Sequence, residues 1–183
     1  METELKGPKR QPPPLEDAGT TYVPVPIDAV RADSLPPFDV YIRPGFANRV
    51  VLYCEHNTRF VCSARDKLKE NRVEHLYVPA SQRPAYSQYL NDNLREVLAD
   101  RNLSPRKKAA VLYDASQSVV EEVLSKPPSR DQLRKGKGVV RTTVDFMRAE
   151  DFRIEDLLRN ISCDFYAYTH SINVVAYTVG LAQ

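Results

Sequence analysis

Nine of the fourteen prolines lie within the first 44 of 183 residues, and this crowding dictates where regular structure can begin. Each proline lacks a backbone N–H, fixes its own φ and pushes the preceding residue toward extended backbone. The run Gln11-Pro12-Pro13-Pro14 can therefore enter neither a helix nor a strand ladder, and residues 1–20 are expected to form a disordered tail. Residues 21–37 form an extended Pro-rich arm, with Tyr22-Val23-Pro24-Val25-Pro26-Ile27 as the segment expected to dock along a fold or pair at a sheet edge.

From Phe38 the pattern changes. Phe38-Asp39-Val40-Tyr41-Ile42 and Arg49-Val50-Val51-Leu52-Tyr53-Cys54 are rich in β-branched and aromatic residues and flank Pro44-Gly45, which predicts two strands joined by a short loop. Ser63-Ala64-Arg65-Asp66 has the pattern of a capping box, with Ser63 as N-cap of a helix running to about Asn71. His75-Leu76-Tyr77-Val78 predicts a third strand, stopped by Pro79, so residues 38–80 make a ββαβ unit. Pro84 and Ser104-Pro105 mark two helix starts. Tyr86, Leu90, Leu94, Val97 and Leu98 recur at helical spacing behind the first, and Ala109, Leu112, Tyr113, Ser116 and Val120 behind the second. Residues 81–126 are thus a helical pair, ended by Lys126-Pro127-Pro128, and residues 127–138, with Gly136 and Gly138, are expected to be a linker or a weak helix start. Val140, Val144 and Met147, then Ile154, Leu157, Leu158 and Ile161, carry a helical lead-in over the first part of 139–183.

Composition narrows the function classes. Hydrophobic residues make up 42% and charged residues 27%, near the globular average, and the net charge of +2 gives no strong nucleic-acid signal. No stretch approaches the ~20 consecutive apolar residues of a membrane span. Three cysteines, Cys54, Cys62 and Cys163, without CxxC spacing fit reduced thiols and a cytoplasmic chain. Cys54 and Cys62 are expected in the core, and His56 and His75 at strand ends as surface groups. Residues 126–148 hold seven cations against two carboxylates, a local +5, and Arg134-Lys135-Gly136-Lys137-Gly138 could either cradle a phosphate or simply be a solvated linker. Arg106-Lys107-Lys108 opposes the dipole in a helix first turn, which an acidic partner would offset.

The last segment carries Phe165, Tyr168, Ile172, Val175, Val179 and Ala182 at spacings of three and four. It predicts an amphipathic helix with no capping signal and no following partner, the pattern of a core cut short. Asp164, Tyr166, Tyr168, His170, Ser171, Asn173 and Val174 in this segment resemble the first helix of the HD-GYP family, bacterial phosphodiesterases that hydrolyse cyclic di-GMP at a di- or tri-metal centre. The layout from about Tyr22 to Ile161 is similar to the N-terminal regulatory regions attached to some of these enzymes. The resemblance implies that His170 is a single ligand of an incomplete metal site, and that a full-length parent holds a divalent metal, Fe or Mn. The catalytic His-Asp pair and Gly-Tyr-Pro segment occur nowhere in the chain. A single ligand cannot activate a metal-bound water, so this chain by itself is expected to hold no cofactor and to have no catalytic residues.

Two function classes follow. The first is an α+β N-terminal regulatory region, ending in the first helix of an incomplete all-α HD-type domain, whose missing catalytic domain is its partner in cis. The unpaired apolar face of that helix would favour self-association. The second is a non-enzymatic signalling adaptor whose ββαβ unit binds a partner or ligand and whose helices transmit it.

Overall fold

A computed structural model describes residues 12–45, 49–125 and 129–148. The helix expected over Asp164 to Gln183, with His170 and Cys163, lies outside the described residues, as does the incomplete HD-type domain. Within them the fold is α+β: five antiparallel strands in the order β1-β2-β5-β3-β4, and four helices. The strands are β1 (Leu15–Asp17), β2 (Thr20–Pro26), β3 (Val40–Ile42), β4 (Val51–Cys54) and β5 (His75–Pro79). The helices are α1 (Cys62–Glu70), α2 (Arg83–Ala99), α3 (Pro105–Ser125) and α4 (Arg130–Met147).

The sheet is larger than the expected ββαβ unit because the arm joins it. β2 pairs with β5 from Tyr22 to Pro26, Val23 opposite Val78 and Val25 opposite Leu76. Two prolines survive in this strand because they share parity. Ile27 donates its N–H to Glu74 O at 3.0 Å, so odd positions donate toward β5 and the N–H groups missing at Pro24 and Pro26 fall on the opposite side. On that side the short β1 has already ended, pairing only Leu15 to Asp17 with Thr20 to Tyr22. The expected tail thus gives way to structure at Leu15. Ala18 and Gly19, at φ +49° and +77°, make the tight turn that a two-residue hairpin needs, and Leu15 is buried.

Two further expectations are corrected. Ser63 does not cap α1: the helix starts at Cys62 behind an extended Val61, with no side-chain cap, and the Asp66 carboxylate accepts the Cys62 thiol at 3.4 Å instead. The stretch expected to be a linker or a weak helix start, with Gly136 and Gly138, is helical from Arg130. Ser129 and Gln132 form a reciprocal capping box at the start of α4, and Val139 enters the core. These gains offset the roughly 1 kcal/mol that each glycine costs in a helix interior.

The helices cover one face of the sheet. Val25, Leu76 and Val78 point into a core shared with Phe38, Phe60, Tyr86, Leu90 and Leu112. The intervening Tyr77 points the other way, into a smaller cluster with Leu15 and Tyr22, where the Tyr22 and Tyr41 rings meet edge-on at 4.8 Å. α3 is the central helix. It packs against α2, α4, β2 and the turn at Ile27–Ala29, and residues Val111 to Ala115 are all buried.

Candidate functional site

Three polar assemblies are built into this frame. The first ties β3 to β4 and to the start of α2. Asp39 Oδ1 accepts the His56 backbone N–H and lies 2.8 Å from His56 Nδ1, while Oδ2 accepts Gln82 Nε2 at 2.9 Å. Gln82 Oε1 in turn accepts the Asp39 N–H at 2.6 Å. Burial pushes the Asp39 carboxyl up, but the hydrogen bonds from His56 and Gln82 outweigh it and hold the group below the usual carboxylate value. His56 is exposed after β4, as expected of a surface group.

The second assembly lies between α2 and α3. Tyr86, fully buried, donates its hydroxyl to Asp114 Oδ2, and Asp114 is itself 1% exposed. Arg83 reaches over the Tyr86 ring at 5.7 Å, donates to Ser118 Oγ at 3.3 Å and stands 3.6 Å from both Asp114 and Glu121. Burial, and then the charge of Asp114, drive the Tyr86 phenol well above its ordinary value, so it stays a donor. This assembly is packed shut. It sets how α2 sits on α3 and leaves no room for a substrate.

The third assembly opens to solvent, and it is the candidate site. A cleft of about 550 Å³ lies where the end of β2, the end of α1 and the first turn of α3 converge. Its floor is Asp28, 6% exposed, which pairs with Lys69 Nζ at 2.5 Å and Lys107 Nζ at 3.4 Å. Arg72, Arg106 and Glu74 complete the charged lining, so four Lys and Arg side chains stand with two carboxylates, and His75 is at the margin. Pro26, Ile27, Val73 and Ala110 supply an apolar wall. The opposition between Arg106-Lys107 and the helix dipole is thus partly answered inside the chain, by Asp28.

The remaining sequence candidates are dispersed. Cys54 is buried at the end of β4, where burial raises its thiol and carbonyls of Glu55 and Thr58 lie 3.6 and 3.5 Å from its sulfur. Cys62, expected in the core, is exposed at the start of α1 because the helix begins one residue earlier than its expected cap. Arg134, Lys135 and Gly138 line a separate groove against Gln88, Asn91 and Arg95 of α2. Helical backbone there turns its N–H groups into the helix, so the glycines make no phosphate loop. Among the described residues no group of three or more His, Cys, Asp or Glu is placed to hold a metal ion, and no helix is long and apolar enough to cross a membrane.

No family model matches the chain, and no curated protein is similar to it. One solved structure is: Bd1817, described as a HDG"Y"P protein from Bdellovibrio bacteriovorus, with 20% identity over 88% of this chain and a TM-score of 0.52. The likeness is one of fold. The match covers 53% of that protein, so the chain spans about half its length.

Sequence reasoning missed Asp28, Lys69 and Arg72, and the pairing of Tyr86 with Asp114. A signal was present for Asp114, a carboxylate flanked by Val111, Leu112 and Ala115 on an otherwise apolar stretch of helix. None was present for Asp28, which sits in an arm with no helical or strand period to violate.

Proposed function

We propose that this chain is the regulatory region of an HD-GYP-like phosphohydrolase, the sheet and α2–α4 forming a module that precedes a metal-dependent catalytic domain. The observation that carries the reading is the fold likeness to an HDG"Y"P protein over most of the chain, which stands beside the resemblance of Asp164 to Val174 to the first helix of that family. In this reading His170 belongs to a metal cluster whose other ligands, with the His-Asp pair and Gly-Tyr-Pro segment, are carried by the catalytic domain. That domain supplies the hydrolysis of cyclic di-GMP. The module supplies control: α2 and α3, locked together through Arg83, Tyr86 and Asp114, move as a unit and pass a change at the sheet toward α4.

The coding sequence beyond Gln183 tests this directly. A His-Asp pair and a Gly-Tyr-Pro segment are expected there. A protein extended through them is expected to bind Fe or Mn and hydrolyse cyclic di-GMP, while the 183-residue chain does neither. If neither motif is encoded downstream in any frame, the regulatory-region reading fails and a stand-alone adaptor takes its place.

A further inference from the structure

We infer that the Asp28 cleft is a binding site for a small phosphate monoester. The inference goes beyond the regulatory reading and does not depend on it, since binding is measured on the chain itself. Its starting point is how the cations of the cleft are committed. Lys69 and Lys107 are engaged by Asp28, one on each carboxylate oxygen. Arg72 and Arg106 line the same cleft, and among the described residues their side chains form no ion pair or hydrogen bond. Two uncommitted guanidiniums beside a neutralised floor provide paired N–H donors of the kind that grip phosphate oxygens two at a time. Four cations against two carboxylates leave an excess of two positive charges, which matches the nearly dianionic state of a phosphate monoester at neutral pH.

The backbone at Arg72 supports the same assignment. α1 ends in a Schellman motif: the Arg72 N–H bonds Lys69 O at 2.9 Å and the Val73 N–H bonds Leu68 O at 3.0 Å. Arg72 occupies the left-handed position of that motif at φ +60°, where glycine fits without strain. The motif holds the Arg72 side chain at the rim of the cleft, while Val73 turns back to the core beside Leu68. The apolar wall of Pro26, Val73 and Ala110 gives the organic part of such a ligand a surface to lie on, and about 550 Å³ is room for a group of nucleotide or sugar-phosphate size.

The test is calorimetric titration of the purified chain with AMP, inorganic phosphate and succinate at 0.15 M salt, alongside thermal melting. AMP is expected to bind and to raise the melting temperature. Phosphate should bind more weakly for want of the apolar contact, and the dicarboxylate succinate should bind at least tenfold more weakly than AMP. Arg106→Gln is expected to weaken AMP at least tenfold, the loss of one charge-assisted contact. Arg72→Gly separates site from scaffold: it should melt higher than the wild type while binding AMP at least tenfold more weakly. Absence of binding by AMP and phosphate at millimolar concentration, succinate binding as tightly as AMP, or AMP affinity unchanged in both arginine variants would each overturn the assignment.

Discussion

Tyr86→Phe isolates one hydroxyl in the sealed contact between α2 and α3. The ring stays, and with it the edge-on contact to Phe38 at 5.4 Å and the Arg83 guanidinium at 5.7 Å. What is lost is the donor to Asp114, an acceptor 1% exposed with Arg83 at 3.6 Å. Water cannot replace the hydroxyl without opening the helix pair. A hydrogen bond to a charged group contributes about 1.5–3 kcal/mol. For a domain of this size the corresponding drop in melting temperature is about 4–10 °C. Urea unfolding followed by circular dichroism gives the free energy, with an unchanged slope showing that the unfolded state is unaffected. The Asp114→Ala background supplies the control: there Tyr86→Phe should cost little, because the acceptor is already gone. A loss below about 0.5 kcal/mol in the wild-type background, the size of an ordinary surface change, would refute the assignment of this pair as the lock between the helices.

Three other outcomes follow from local chemistry. Asp39 is held below its ordinary value in the folded protein, so its stabilisation is present above the unfolded carboxylate value and drains as pH falls through the folded one. Asp39→Asn should therefore destabilise at pH 7 and converge with the wild type as the pH falls through the folded value, and a gap that persists into acid would contradict the network with His56 and Gln82. The hydrogen bond to Asp66, followed by its charge, raises the exposed Cys62 thiol, so Asp66→Asn should speed iodoacetamide labelling of Cys62 in peptide-resolved mass spectrometry; an unchanged rate would exclude the contact. At Gly138 an added Cβ meets nothing within 4 Å, and Gly138→Ala should raise stability by about 0.5–1 kcal/mol in urea unfolding, whereas a destabilised variant would argue against a helical residue 138.

Much of the fold was legible one element at a time. Phe38 to Ile42, Arg49 to Cys54 and His75 to Val78 contain β3, β4 and β5, and Pro84 and Pro105 stand in the first turns of α2 and α3. These elements depend on local rules, namely β-branched runs and proline at a helix start, which act over a few residues. The full pairing of the arm was less legible for the opposite reason. Prolines at 24 and 26 argue against a strand between two neighbours, and only the length of β1 decides that their missing N–H groups have no ladder to interrupt. The helix from Arg130 reads in sequence as no more than a linker or a weak helix start, because two glycines outweigh a capping box whose value depends on Val139 reaching the core.

The candidate site belongs almost wholly to the tertiary structure. By itself the sequence determined that Arg106 and Lys107 would crowd a helix start, and that the residues from Asp164 to Val174 resemble an HD-GYP helix. It also determined that the catalytic pair and the Gly-Tyr-Pro segment of that family are absent from these 183 residues. Only the fold decided that Asp28, Lys69 and Lys107, far apart along the chain, would share one cleft, and that Tyr86 would meet Asp114 across 28 positions. Periodicity reports which side of an element faces the core. It carries no information on which charge of one element meets which charge of another. That is fixed when α3 closes over β2 and the end of α1, and burial then makes each charge depend on its partner.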